Sequence, residues 1–535
     1  MLCMIMKNNN KKYKKIVAEL LVFLASTNIG HADEVYDLAR VINSTLIQAP
    51  EILQQQAAVE GAEAGVKVQT GQFDHQVLSS YSTKLSNAPI ISYNQSGFFN
   101  LSYLQSYQHL LQAGILKQFR TGISAGFSVN VLRTDPLNGQ SQANAQGVDL
   151  TTSNQSNVNF QLNIPLLKGA TEESAGAAEK AAILQYKAAQ NDLSFVISSI
   201  VLNAINAYWD YKVAEETLEI NRISEQRVQE WADKAKQLFI QKDPAHVKEM
   251  REKYRAEIDA VLAYLAGKHL SVVASTQLLE QAKIALTVAM GTPYNDFGMV
   301  KVSVEQFPKF DTVNLSPEQL NKSWVAQAIE NRADLKAINL RQDANNVLVK
   351  KYTRDLMPQL DVSLNAGYQG LSEGASASTF GDAVYRNVPG PNLAGQLSFA
   401  YPLENNTQEG LLASQKALSR NTRIGIGQLE RTISAQIDVD VSLLTRRMAE
   451  ESMAEKAVAF YQPAVNELVE RAMKEAPKLL NLLEYEDRLV QAKVGRLQVK
   501  SALAKLIAEV RFQTGTLIIG NDENHAVDIN GLNGF

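Results

Sequence analysis

The sequence is poor in the residues that carry chemistry. Among 535 residues there is one cysteine, Cys3, close to the start. One cysteine excludes an internal disulfide framework and any cysteine-pair redox or zinc site. The six histidines (His31, His75, His109, His246, His269 and His525) are scattered, with no metal-ligand spacing among them. No glycine-rich phosphate loop occurs. The expectation is a chain that is not an enzyme, with no catalytic residue, no cofactor and no metal. Net charge is −4, which offers nothing to nucleic acid. After Ala32 no stretch approaches the ~18–20 continuous apolar residues of a membrane helix. A contact with a bilayer would have to be made by strands.

The first segment differs in kind. Lys7, Lys11, Lys12, Lys14 and Lys15 precede an apolar run from Ile16 to Ile29, which leads to Gly30-His31-Ala32 and then Asp33-Glu34. A basic stretch, an apolar stretch and a small-x-small site describe a secretory signal peptide, residues 1–32, cleaved after Ala32. Cleavage would remove five lysines and Glu19, a net +4, and take the remaining chain from −4 to near −8. It would also remove Cys3, which precedes the apolar run and so is not a lipid-attachment cysteine.

Fourteen prolines are present, but none falls between Pro165 and Pro244, between Pro402 and Pro463, or after Pro477. Those gaps hold alanine-rich, charged sequence such as Ala175-Gly176-Ala177-Ala178-Glu179-Lys180-Ala181-Ala182. A helix from about Thr171 to Gln241 would be on the order of 100 Å long at ~1.5 Å per residue, far beyond an ordinary globular helix. Near the end Leu483, Val490, Leu497 and Ala504 recur every seven residues, with Val494, Ser501 and Ala508 four later. That is coiled-coil spacing with small residues at the seam.

The chain also contains itself twice. Shifted by the distance from Pro50 to Ala333, Pro50-Glu51-Ile52-Leu53 falls on Ala333-Asp334-Leu335-Lys336, and Gln76-Val77 falls on Gln359-Leu360. Each copy reads as a helix, an alternating strand, a second strand ending in Pro-Leu (Pro165-Leu166, Pro402-Leu403) and a long helix. Each closes on a similar stop, Met290-Gly291-Thr292 and Thr514-Gly515-Thr516. The fold class is α+β, a duplicated helix–strand–strand–helix unit suited to cylindrical assembly. The first repeat spans 33–293 and the linker 294–319. The second repeat spans 320–516 and a tail 517–535.

The strands alternate cleanly. Leu360, Val362, Leu364, Ala366 and Tyr368 interleave with Gln359, Asp361, Ser363, Asn365 and Gly367, and Val158, Phe160, Leu162 and Ile164 with Asn157, Asn159, Gln161 and Asn163. One apolar face and one face of amides and hydroxyls divides lipid from lumen in a membrane barrel; a soluble sheet with one wet face alternates in the same way. The first repeat carries an extra hairpin at about 98–133, from the alternation of Phe99, Leu101 and Tyr103 and of Ile123, Ala125, Phe127, Val129 and Val131. Asn138–Asn157 and the shorter Gly370–Asn392 read as loops.

Ala328-Ile329-Glu330-Asn331-Arg332-Ala333-Asp334-Leu335, then Met357-Pro358-Gln359-Leu360, the two Pro-Leu strand exits, Ala207-Tyr208-Trp209 and the terminal Thr-Gly-Thr occur in a definite order. In these features the chain resembles the TolC-type outer-membrane efflux and secretion channels, over essentially everything after residue 32. The resemblance implies a homotrimer whose strands close one barrel in outer-membrane lipid, continued by a long α-helical barrel across the periplasm. It implies a passive conduit in a tripartite export system, partnered by a periplasmic adaptor and an inner-membrane transporter. Efflux and type I protein secretion are not separated by this sequence. The family's Asp-x-x-Asp constriction, counted back without gaps from Gly515, falls on Asn481 and Glu484; Glu486 and Asp487 beside them read as solvated surface acids. The adaptor-docking turns fall on Lys242, Asp243, Pro244 and Ala245 and on Glu475, Ala476, Pro477 and Lys478. These turns carry proline where the family has Gly-Leu. The alternative reading is an exported coiled-coil structural or adhesin protein without a pore.

Overall fold

Each proline-poor interval is a helix. A computed structural model describes residues 35–93, 99–137, 151–240, 244–293, 301–302, 307–308, 316–385, 391–472, 479–519, 526–527 and 530–533. Nine principal helices lie in these residues: α1 (Leu38–Gln48), α2 (Pro50–Thr70), α3 (Ala177–Ile240), α4 (Pro244–Ala289), α5 (Pro317–Asn331), α6 (Ala333–Arg354), α7 (Ala377–Tyr385), α8 (Asn406–Ala472) and α9 (Leu479–Gln513). Proline opens α2, α4 and α5 at the one position where its missing N–H is harmless. Ser316 and Gln319 cap α5 reciprocally, each side chain accepting from the other's backbone N–H (3.3 and 3.1 Å). Residues 1–34, which hold the expected signal peptide, lie outside the described residues.

The second long helix, α8, has 67 residues and runs through Pro463 to Ala472. Pro463 can make no i→i−4 bond, but Val465 is buried beside it and Leu468 and Val469 pack on the same core, so tertiary packing outweighs the lost bond. The helix expected from Thr171 is interrupted at its start. A single turn, Glu172–Ala175, precedes Gly176 and α3, and Thr171 takes φ 74°.

The chain divides into two units, one made of 1–54, 196–331 and 434–535, the other of 55–195 and 332–433. The first is helical. Its seam on α9 is buried as the heptads require: Leu483, Val490, Leu497, Ser501, Ala504 and Ala508 are all buried, with Val494 half-buried. The repeat-closing stops are the same backbone motif twice. Gly291 and Gly515 both take φ 70°. In both, the following threonine N–H reaches back five residues, Thr292 to Thr287 O (3.1 Å) and Thr516 to Arg511 O (2.8 Å). This is a Schellman cap, which favours glycine at the left-handed position.

The second unit holds a six-stranded antiparallel sheet of β1 (His75–Tyr93), β2 (Phe99–Gln118), β3 (Ser124–Pro136), β4 (Ser153–Pro165), β5 (Gln359–Glu373) and β6 (Asn392–Ala400), in spatial order 1-2-3-4-5-6. The β4–β5 pair joins the two sequence repeats through thirteen residue pairs, Ser153↔Glu373 to Pro165↔Asp361. The register sorts side chains by face. Val77, Leu111, Val131 and Phe127 share one face with Val158, Phe160, Leu162 and Ile164, and with Val362, Leu364, Leu397 and Phe399. The opposite face carries Ser80, Gln112, Asn130, Asn157, Asn159, Asn163, Ser363, Asn365, Gln396 and Ser398. The extra hairpin's strands thus continue both faces without a break.

The segment read as a loop, 370–392, contains the end of β5 and the helix α7. Nine residues around Gly381 are too few for a periodic signal to stand out. The helix lies over β4 and β5 on the apolar-face side, where that face has turned polar. There Ser156 Oγ donates to Ala383 O and Tyr368 Oη to Val384 O (3.2 Å). Asn154 Nδ2 donates to Gly374 O (3.1 Å), and Arg133 Nη1 to Ala375 O (3.1 Å).

Candidate functional site

The first turns of α9 carry the residues that the resemblance singles out. Asn481 and Glu484, three apart, share one exposed face, while Leu482, Leu483 and Leu489 turn into a core with Val228, Trp231 and Ala232 of α3, Val261 of α4 and Val465 of α8. Glu484 is not a bare carboxylate. Arg488, one turn on, donates to its Oε1 at 2.6 Å, and lies 5.9 Å over the Tyr485 ring. Both charges are half-exposed or more, so the pair contributes little to stability, but each charge partly offsets the other's field. Of the proposed docking turns, Pro244 and Ala245 begin α4; Lys242, Asp243, Glu475, Ala476, Pro477 and Lys478 lie outside the described residues.

Glu486 is a correction. It is fully buried, at 0 % exposure, rather than solvated. Its Oε1 accepts from Arg227 Nη2 of α3 at 2.6 Å, and the next residue, Asp487, accepts from Lys268 Nζ of α4 at 2.7 Å. Tyr264 of α4 donates its hydroxyl to Leu483 O at 3.0 Å, and burial together with the neighbouring Asp487 drives the phenol well above its ordinary range. Lys268 Nζ stands 5.0 Å over the Tyr264 ring. Consecutive residues of α9 therefore tie it to two different helices by charge-assisted bonds. Glu486 Oε2 and Arg227 Nε have no partner among the described residues, so the pair is incompletely satisfied and costly to divide. The spacing Leu482, Glu486, Leu489, Lys493 places Glu486 on the apolar stripe, and that period is the sequence feature that betrays its burial. Lys493, next along the stripe, is pushed down by burial.

Higher on the same helices, a cleft of about 480 Å³ between α3, α8 and α9 is lined by Asn206, Asp210, Asp440, Arg447, Lys505 and Glu509 among others. Asp440 is 1 % exposed. Its Oδ1 accepts from Gln436 at 3.1 Å, and neither its Oδ2 nor Asn206 Oδ1 has a donor among the described residues. Burial, with Glu509 adding to it, raises this carboxyl to about 6. An unfolded aspartate titrates near ~3.9, so the folded state binds the proton more tightly. Asp440's own contribution to stability is then largest below ~4, declines as pH rises through about 6, and is flat above. Asp440→Asn is expected to remove that decline. Urea titrations of the assembled protein should show a gain of ~2 kcal/mol at pH 7.5 and none at pH 4.

Among the described residues no group of three or more His, Cys, Asp or Glu could hold a metal ion, and no helix is long and apolar enough to cross a membrane. No protein-family model and no curated relative matches the chain. Solved structures do. The outer-membrane channel OprN matches with TM-score 0.62 and 13% identity, covering 90% of each chain. The Campylobacter jejuni CmeC outer membrane channel matches at 0.60 and 13%, covering 90% of this chain and 85% of that one. The outer membrane protein VceC of Vibrio cholerae matches at 0.60 and 15%, covering 89% and 96%. The fold of this chain is that of the TolC-type outer-membrane channels.

Proposed function

We propose that this chain is an outer-membrane channel, a passive trimeric conduit at the outer end of a tripartite export system. The observation that carries the reading is the sheet: one apolar face continuous over six strands, one amide- and hydroxyl-rich face, and two unpaired edges. A bilayer admits strands only in a closed barrel, and a sheet left open in one chain closes by joining copies of itself. A coiled-coil stalk has no use for such a sheet. Substrate choice would rest with an inner-membrane transporter, and the segments 242–245 and 475–478 would meet a periplasmic adaptor. Fractionation should place the protein in the outer membrane, and gentle detergent extraction should release three copies that open ion-conducting pores in planar bilayers. A soluble periplasmic monomer would overturn this reading.

Asn481 and Glu484 form the periplasmic constriction in this reading, three copies of the exposed α9 face meeting on the axis. Three carboxylates in a narrow ring favour cations, but each has Arg488 at 2.6 Å. Opposite changes are therefore expected from two neutralisations. Glu484→Gln should lower the cation-over-anion permeability ratio and weaken block by multivalent cations, whereas Arg488→Gln should raise both. Reversal-potential measurements in asymmetric salt check this, and equal shifts of the same sign would remove Glu484 from the pore axis.

A further inference from the structure

β1 and β6 each leave one edge of the sheet unpaired. All nine residues of β6 are exposed, as are nearly all of His75–Pro89 on β1. Neighbouring strands alternate in direction from β1 to β6, so β6 of one copy meets β1 of the next antiparallel. An even number of strands per copy is what allows a closed ring with no parallel seam. The β1–β2 hairpin belongs to that wall by its own side chains. Val77, Tyr81 and Leu85 are 78%, 65% and 47% exposed and lie on the same face as the apolar residues of the other strands. A lid folded away from the sheet would hold them in water. It would also have to strip β2 from the thirteen residue pairs that it makes with β3.

We propose that all six strands are barrel wall, so that β6 of each copy pairs with residues 76–86 of β1 in the next copy and three copies close a barrel of three times six, or eighteen, strands. The inference rests on the trimeric channel reading above and adds the seam and the bore. Geometry fixes the seam closely. The ladder carries His75 across Lys117, Ala125, Leu162 and Leu364 to Gly395. Closing eighteen strands tilted by ~35–45° and spaced ~4.8 Å apart needs a total stagger of roughly 18–26 residues, about six to nine per copy. The stagger per copy must be even, since an odd slip would turn Leu393, Leu397 and Phe399 into the lumen. β1 has no residue below His75, so Gly395 faces Tyr81 or Thr83. The nine residues of β6, bracketed by Pro391 and Pro402, then lie along Gln76–Lys84 or Leu78–Ser86. Neither stretch contains a proline, and Pro89 falls beyond the seam. A wall of this size is ~36 Å across between backbones, wide enough for an open aqueous channel, so any restriction belongs to other parts of the assembly.

Cysteine pairs test the seam, against a background of the single Cys3. Ser398→Cys should form a disulfide between copies with Leu78→Cys or with Ser80→Cys on mild oxidation of membranes. The product is a ladder of covalent dimer and trimer on denaturing gels that collapses on reduction. Ser398→Cys with Ser79→Cys, on opposite faces, should stay monomeric. Linkage of Ser398→Cys to Gly126→Cys or Ser128→Cys of β3 instead would make the hairpin a lid and the wall four strands per copy, overturning the inference while leaving the trimeric channel intact. A native trimer with no linkage in any pair also overturns it, and a protein that is monomeric in the membrane overturns both readings.

Discussion

Arg227→Met is expected to be among the most destabilising single changes in this chain, losing ~3–5 kcal/mol. The arginine touches no part of a pore in our description; its effect comes from what it leaves behind. Glu486 is fully buried and Arg227 Nη2, at 2.6 Å, is its partner. A carboxylate stripped of its counter-ion inside the helix core keeps its desolvation penalty and loses the attraction that offset it. Glu486→Gln should be milder, because Arg227 is about a quarter exposed and can turn toward water. The double change Arg227→Met with Glu486→Met removes both charges from the same space and should return to within ~1 kcal/mol of the parent. Thermal or urea unfolding of the extracted protein measures all three. An Arg227→Met variant as stable as the double one would mean that the pair is not buried in the assembled protein.

Gly367→Val should prevent the sheet from forming. A Cβ built on Gly367 in β5 would stand 2.1 Å from Val158 O of β4 and 3.1 Å from the Asn159 Cα. The obstacle is backbone, which cannot swing aside as a side chain would. Relief requires breaking the β4–β5 pairing that joins the two repeats, and a loss of at least ~3 kcal/mol is expected. The readout is the fraction of protein that reaches a protease-resistant, heat-modifiable form in membranes. Gly495→Ala gives the contrast. It lies within α9 with nothing within 4 Å of its built Cβ, so alanine should add ~0.5–1 kcal/mol through helix propensity alone.

These two residues also divide what the sequence reveals from what it hides. The duplication could be read because it is written in residues with fixed backbone duties. Gly291 and Gly515 sit where a left-handed cap favours glycine, and proline-free intervals became helices because nothing in them interrupts the ladder. Alternation exposed the strands and their faces, since a period of two survives in any sheet. What stayed hidden depends on partners distant in sequence. Glu486 looks like any helix-surface acid until Arg227, 259 residues away, is brought beside it, although its place on the Leu482–Leu489 stripe was there to be read. Gly367 gives no local sign that Val158 O approaches it. Pro463 inside α8 makes the same point, as the packing around Val465 that holds its helix together is tertiary. The helix α7 escapes the sequence because nine residues carry too little periodicity. Counting from Gly515 reaches Asn481 and Glu484, but only the structure supplies the counter-ion Arg488.

The apolar band on the sheet has a height, and under the proposed channel reading that height would select a bilayer. On β5 it runs from Leu360 to Tyr368, where the tyrosine hydroxyl turns up to meet Val384 O. Eight steps of ~3.4 Å make about 27 Å along the strand, and a tilt near 40° leaves roughly 21 Å along the membrane normal. Above it come Arg133, His109 and Asn154. A belt this short fits the thin hydrocarbon layer of a bacterial outer membrane better than a thicker inner one. In the channel reading proposed above, hydrophobic mismatch would sort the protein to one membrane and set its depth there, with the helix α7 just above the belt.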